Sequence, residues 1–164
     1  MIVLGIDPGP THCGVVIYDT EARRVKQSYK DKTVLAALLQ IEHRASARMI
    51  DLVAIERVQS YGIAGASLLR TAEVGGMLHY CAMREEVKVV WLYRREVLRG
   101  LDVTGKGNRD SLVRQRLIEI HGGDRASAVG TKAKPGPLYG VASHAWSALA
   151  VAVVAGLGAG NASS

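Results

Sequence analysis

Phenylalanine is absent from this 164-residue chain, cysteine occurs twice, and no apolar run is long enough to cross a bilayer. The two cysteines, Cys13 and Cys81, lack the paired spacing of a zinc site or a disulfide framework, which suits a reducing cytosol and a cytoplasmic protein. The apolar C-terminal stretch, 145–157, is too short for a spanning helix and reads as a core helix, so no membrane role is expected. The N-terminus enters an apolar segment directly, without the basic n-region and cleavage site of a secretory leader. No internal repeat is present. A second lobe is missing too. Sugar kinases and actin-like ATPases, whose phosphate loop also follows a strand with Asp and Gly, need two lobes around the nucleotide, and 164 residues supply one.

What is present is an ordinary globular balance with a basic excess. Hydrophobic residues make up 48% and charged residues 22%, and 21 Lys and Arg stand against 15 Asp and Glu, a formal net charge of +6. That excess suits an anionic partner, of which nucleic acid is the commonest for a basic globular protein. Apolar runs predict strands over 2–6, 12–19 and 23–29, then a helix capped by Thr33 and running to residue 48, then a strand over 51–56 without polar alternation and so buried on both faces. A glycine-bearing loop, 59–65, leads into a helix over 66–83, and a fifth strand covers 87–91. A short helix over 93–99, an exposed loop at 105–108, a helix over 110–121, a polar loop over 122–140 and a last helix over 143–155 complete the chain. Three antiparallel strands followed by helix-separated ones give an α/β fold: a five-stranded mixed sheet with helices on both faces.

Acids then mark strand ends. Asp7 closes the first apolar run and is followed at once by the Pro8-Gly9 turn, and Glu56 closes the fourth. Asp-Pro-Gly alone serves equally as a hairpin turn, and Glu56 alone as a strand-end acid paired with Arg57. If the two strands are parallel neighbours, the carboxylates lie side by side, where they repel unless a cation sits between them; a hard divalent ion such as Mg²⁺ suits such oxygens. On the last helix His144 and Ser147, three apart, share a face, with Ser143 as a structural N-cap; His144 serves either the site or a nearby carbonyl. Lys106, Arg109, Arg114 and Arg116 gather around a glycine-bearing loop and a helix start, either gripping phosphates or facing solvent, and Lys132 and Lys134 add two bases near the final helix.

In order, GIDPGPTHCGVV, AIERVQSYG, TGKGNRDSLVRQRLIEIHG and SHAWSALAVAV resemble the RuvC-type Holliday junction resolvases, which have the ribonuclease H-like fold, over nearly the whole chain. The middle motif and the HAW helix are more similar to phage-type members than to the housekeeping bacterial enzymes. The resemblance implies one nuclease domain over 1–157 with a disordered tail over 158–164. It implies a homodimeric endodeoxyribonuclease, dependent on Mg²⁺ or Mn²⁺, that nicks four-way or otherwise branched DNA. Asp7 and Glu56 fall on the family's first two catalytic acids and His144 on the third position, where some members carry His. Ser147 departs from the aspartate of the fourth. Two repairs present themselves: a carboxylate moved to Asp110, where the family tends to have a base, or a water held by Ser147. A junction binder that does not cut is the alternative, as is a related nuclease acting on other branched DNA or on RNA. The family's base-unstacking aromatic is also missing: Gln59 takes that place, and Tyr61 lies two residues on, placed either to stack on a base or to pack on a dimer partner. Lys106, Arg109, Arg114, Lys132 and Lys134 would hold DNA phosphates. Small residues on the 66–83 helix, Ala66, Ala72, Gly75 and Gly76, would admit either a partner helix or the chain's own sheet.

Overall fold

A computed structural model describes residues 1–60, 62–104 and 108–161. Five strands, β1 (Ile2–Asp7), β2 (His12–Asp19), β3 (Arg24–Thr33), β4 (Leu52–Arg57) and β5 (Lys88–Tyr93), form one sheet in the order β3-β2-β1-β4-β5. β1, β2 and β3 pair antiparallel, while β1–β4 and β4–β5 pair parallel. The expected mixed sheet is therefore the observed one, with β1 at its centre.

One face of the sheet is covered by α1 (Val34–Ser46) and α2 (Ala66–Arg84), packed around Leu4, Ile6, Val53, Ile55 and Leu78. The other is covered by α3 (Arg94–Gly100), α4 (Arg109–Gly122), the single turn α5 (Arg125–Ala128) and α6 (Ala145–Asn161), around Val3, Ala54, Leu117 and Leu149. Side chains alternate across a strand. Since Ile6 and Ile55 both enter the α1–α2 face and are paired in register, Asp7 and Glu56, one residue further on, both turn to the α6 face.

Glycine fixes how close α6 comes to that face. A Cβ at Gly5 would lie 2.2 Å from the Ala148 carbonyl oxygen, and one at Gly14 would lie 2.3 Å from that of His144. The helix therefore rests on the backbones of β1 and β2, and its first turn is set down beside Asp7. Thr33 caps α1 as expected, its hydroxyl accepting from the Ala36 N–H, and Asn108 caps α4 in the same manner. Ser143 is not at a cap position: it lies two residues ahead of α6 in the left-handed region, φ 50°, which makes the corner into the helix. The helix also runs to Asn161, so 158–161, expected in a disordered tail, is helical; docked turns nucleate the following one at no further nucleation cost. Gly75 and Gly76 divide the two uses open to the small residues of α2: a Cβ at Gly75 would press on Trp91 at 3.1 Å, whereas Gly76 faces open space. Among the described residues no helix is long and apolar enough to cross a membrane.

Candidate metal centre and nucleic-acid interface

Asp7 and Glu56 end neighbouring parallel strands on one face, the arrangement that turns two ordinary strand-end acids into a pair. Both are largely covered, with 21% and 14% of their side-chain surface exposed. The Asp-Pro-Gly turn is closed by tight backbone packing, a Cβ at Gly9 falling 2.3 Å from the His12 carbonyl oxygen, and the Asp7 carboxylate faces His144 across 3.7 Å (Oδ2 to Nδ1). Glu56 pairs with Arg94 rather than Arg57: Arg94 Nη1 lies 3.7 Å from Glu56 Oε1, while the Arg57 guanidinium lies over the rings of Trp91 and Tyr93. The other oxygen, Glu56 Oε2, is buried and accepts no hydrogen bond.

Burial pushes the Asp7 carboxyl up to about 6, with Arg94 opposing the shift and Asp110 adding to it. Burial and then the charge of Asp7 push Glu56 up to about 7, again against Arg94. Two carboxyls raised together, one with an orphaned oxygen, form an electron-rich site that Arg94 compensates only in part, and their hard oxygen donors fit a divalent cation of the Mg²⁺ class. Among the described residues no three His, Cys, Asp or Glu side chains are gathered closely enough to hold a metal ion together. His144 is 66% exposed, and Asp110, 81% exposed at the first turn of α4, is ion-paired with Arg94. Asp110 thus reaches the neighbourhood of Asp7 and Glu56 through a guanidinium.

Three clefts border the acids. One, of about 670 Å³, is lined by Asp7, the turn 8–12, Ser143 and His144. A second, of about 430 Å³, is lined by Glu56, Arg57, Thr71, Gly75 and Trp91. The third, of about 190 Å³, is lined by both acids with Arg57, Gln59, Leu68 and Arg94. Gln59 therefore stands at the site, as its position two places past the fourth strand allows. Ser147 is half-buried on α6, one turn from His144. Arg109 is exposed at the start of α4, and Arg114 lies over the Trp146 ring at 4.9 Å, beside the first turn of α6. Arg116 turns away, donating to the Leu101 carbonyl. Lys132 and Lys134 are exposed on a loop closed by the Gly130–Pro135 bridge, and neither lines a cleft with Asp7. Tyr61 and Lys106 lie outside the described residues. Arg94 was not among the basic residues singled out from the sequence. Its signal was positional: β5 is parallel to β4, and Arg94 directly follows its last residue, at the same sheet edge as Glu56.

No protein-family model matches the chain. It is 30% identical over 166 residues to the crossover junction endodeoxyribonuclease RuvC of Mycolicibacterium smegmatis, a match covering 93% of this chain and 81% of that protein. The proteins of the same name from Bifidobacterium longum and Mycobacterium leprae are 33% and 31% identical, over 72% and 66% of this chain and 66% and 64% of theirs. The chain thus spans a little under two thirds of the length of the latter two relatives. Among solved structures, that of Thermus thermophilus RuvC superposes with a TM-score of 0.70 at 22% identity, covering 98% of this chain and 97% of that one. The same protein in complex with a Holliday junction substrate superposes with a TM-score of 0.66 at 22% identity, over 97% and 95%. The fold is the ribonuclease H-like fold of these proteins.

Proposed function

This chain belongs to the RuvC family, and from that premise we propose that it is a structure-selective endodeoxyribonuclease that resolves four-way DNA junctions by divalent-metal-dependent phosphodiester hydrolysis, a step of DNA recombination and repair. The observation that carries the reading is the Asp7–Glu56 pair: two raised, buried carboxyls on adjacent parallel strand ends, one oxygen unsatisfied, lining a shared cleft.

Asp7 and Glu56 would hold the cation, Mg²⁺ or Mn²⁺, both of which take hard oxygen donors, and His144 beside Asp7 would serve as a further ligand or as a proton-transfer group. When bound, the cation supplies Lewis acidity at the phosphodiester and neutralises the paired acids. The chain's own residues do the rest. His144, exposed and next to Asp7, is placed to take or give a proton at the cleft mouth. Arg109 and Arg114, with Lys132 and Lys134 further out, would hold flanking phosphates, as would Lys106 on its place in the sequence, so binding should weaken steeply with salt. Gln59 and Tyr61 would meet the bases at the branch.

A homodimer matches the two-fold character of a four-way junction. Its surface would be the outer side of α1 and α2, where Leu35, Leu39, Met77, Tyr80 and Met83 are exposed and Gly76 leaves room for close approach. Ser147, where the family has an aspartate, keeps the non-cutting junction binder in play. A nicking assay on a labelled four-way junction, a linear duplex and a Y-fork, with Mg²⁺, Mn²⁺ or EDTA, separates the two. Paired, metal-dependent cuts in the junction, lost in Asp7→Asn, support the nuclease. Tight junction binding without cuts in either metal refutes it.

A further inference from the structure

Arg94 is ion-paired with two carboxylates, Glu56 and Asp110, and shares a cleft with a third, Asp7. It opens α3, whose start is fixed by a capping arrangement in which the Tyr93 N–H donates to Glu96 Oε2 at 2.7 Å. From there the guanidinium, 28% exposed, lies between Glu56 on β4 and Asp110 on α4 and lines the smallest of the three clefts with Asp7. It is also the cation whose charge acts against the burial of both Asp7 and Glu56. A guanidinium is a fixed fork of donors and cannot lose its proton, so it neutralises such a site at any working pH.

Resting on the function proposed above, we propose that Arg94 is the built-in counter-ion of this site: it occupies Glu56 when no metal is present, a divalent cation must displace it from Glu56 in order to bind, and Asp110 is the anchor that draws the guanidinium aside. Three observations carry this. The Arg94–Glu56 contact is long, 3.7 Å, and uses one oxygen only, leaving Oε2 buried and unbonded, so the guanidinium satisfies Glu56 in part. The closer partner of Arg94 is the exposed Asp110, whose negative charge has no other function visible here and otherwise adds to the repulsion on Asp7 and Glu56. Among the described residues no third donor is gathered with the two acids, and what Glu56 faces instead is the Arg94 guanidinium. Arg94 is on this account a positioning residue, and Asp110 acts through it rather than as a ligand.

The test is Mn²⁺ binding by calorimetry, without DNA, on the full chain and on Arg94→Gln, Arg94→Lys and Asp110→Asn, with thermal unfolding in EDTA alongside. Removing a competing unit charge from beside the two acids should tighten Mn²⁺ binding about ten-fold in Arg94→Gln and lower its unfolding temperature in EDTA. Arg94→Lys, which keeps the charge without the fork, should return affinity toward the wild type. Asp110→Asn, which leaves Arg94 with Glu56 alone, should weaken binding. Unchanged or weaker Mn²⁺ binding in a folded Arg94→Gln overturns the proposal, as does tighter binding in Asp110→Asn. If the wild type shows no Mn²⁺ binding that Asp7→Asn abolishes, the metal centre itself fails, and the inference with it.

Discussion

The two ends of the central strands carry acids of opposite fortune. At one end, Asp19 and Asp51 are tied to the backbone: Asp19 Oδ1 accepts from the Glu21 and Ala22 N–H groups, and Asp51 Oδ2 accepts from the Ile2 N–H. The hydrogen bond from the Ala22 N–H holds the Asp19 carboxyl below its usual range. Nearby, His121 donates from Nδ1 to the Leu117 carbonyl and accepts at Nε2 from the Tyr18 hydroxyl, each at 2.8 Å, and burial keeps it neutral. At the other end, Asp7 and Glu56 are raised, and one of their oxygens has no partner. The same strands thus close one end with hydrogen-bonded acids and leave the other with two raised carboxyls and an unbonded oxygen. Such a difference is what a functional site produces, and it supports the proposed metal centre.

Breaking the open end should cost function far more than stability. Glu56→Gln is expected to lower junction cleavage by about 10³-fold or more, as for groups acting directly on the reacting atoms, whereas Asp19→Asn should leave cleavage within a few-fold of wild type. Gel-based cleavage rates in Mg²⁺ check both. Tightening the contact between sheet and helix should instead lower stability. Gly5→Ala puts a Cβ 2.2 Å from the Ala148 carbonyl oxygen, overpacking that costs about 1–3 kcal/mol and about 3–10 °C in unfolding temperature.

The pH dependence of metal-free stability sharpens the contrast. Asp7 and Glu56 start from 3.8 and 4.5 when unfolded and are raised to about 6 and about 7 when folded. Between those values the folded chain holds more protons than the unfolded one, so these two groups make stability fall as pH rises through about 4 to 7. His121 has the opposite sign: its pKa is lowered from 6.5, so the stability it brings is present above that value and is lost as pH falls below it. Unfolding midpoints against pH in EDTA should therefore show the wild type losing stability relative to Glu56→Gln as pH rises from 5 to 7.5. Parallel curves would contradict the raised carboxyl. The smallest effect is expected at the satisfied end, where Asp19→Ala removes two exposed turn hydrogen bonds and should cost about 1 kcal/mol, read as about 2–4 °C in unfolding temperature.

Strand logic carries the acids part of the way: apolar runs end in Asp7 and Glu56, and the order of elements allows their strands to be parallel neighbours, as they are. The position of His144 at a helix start suits a carbonyl partner as well as a site, and its assignment comes from the family resemblance; glycines at 5 and 14 bring that helix onto the sheet. Arg94 escaped because the fifth strand was ended at residue 91, two residues short of Tyr93, which hid the base at the third parallel strand end. Asp110 was placed near the site, yet its partner was out of reach of spacing arguments, since α3 and α4 meet only in the folded chain. The loop carrying Lys132 and Lys134 is fixed by long-range backbone bonds, such as that from the Val25 N–H to the Pro137 carbonyl, and no local pattern encodes these.

The central claim is that Asp7 and Glu56 form a buried pair whose charge Arg94 offsets only in part, leaving room for a divalent cation. Thermal unfolding of the wild type and of the double variant Asp7→Asn/Glu56→Gln, at pH 8 in EDTA and again in excess Ca²⁺ without DNA, tests it most directly. The account predicts that the variant melts above the wild type in EDTA, by several degrees, and that Ca²⁺ raises the wild type but not the variant. A variant that melts below the wild type in EDTA and retains the Ca²⁺ gain would contradict it.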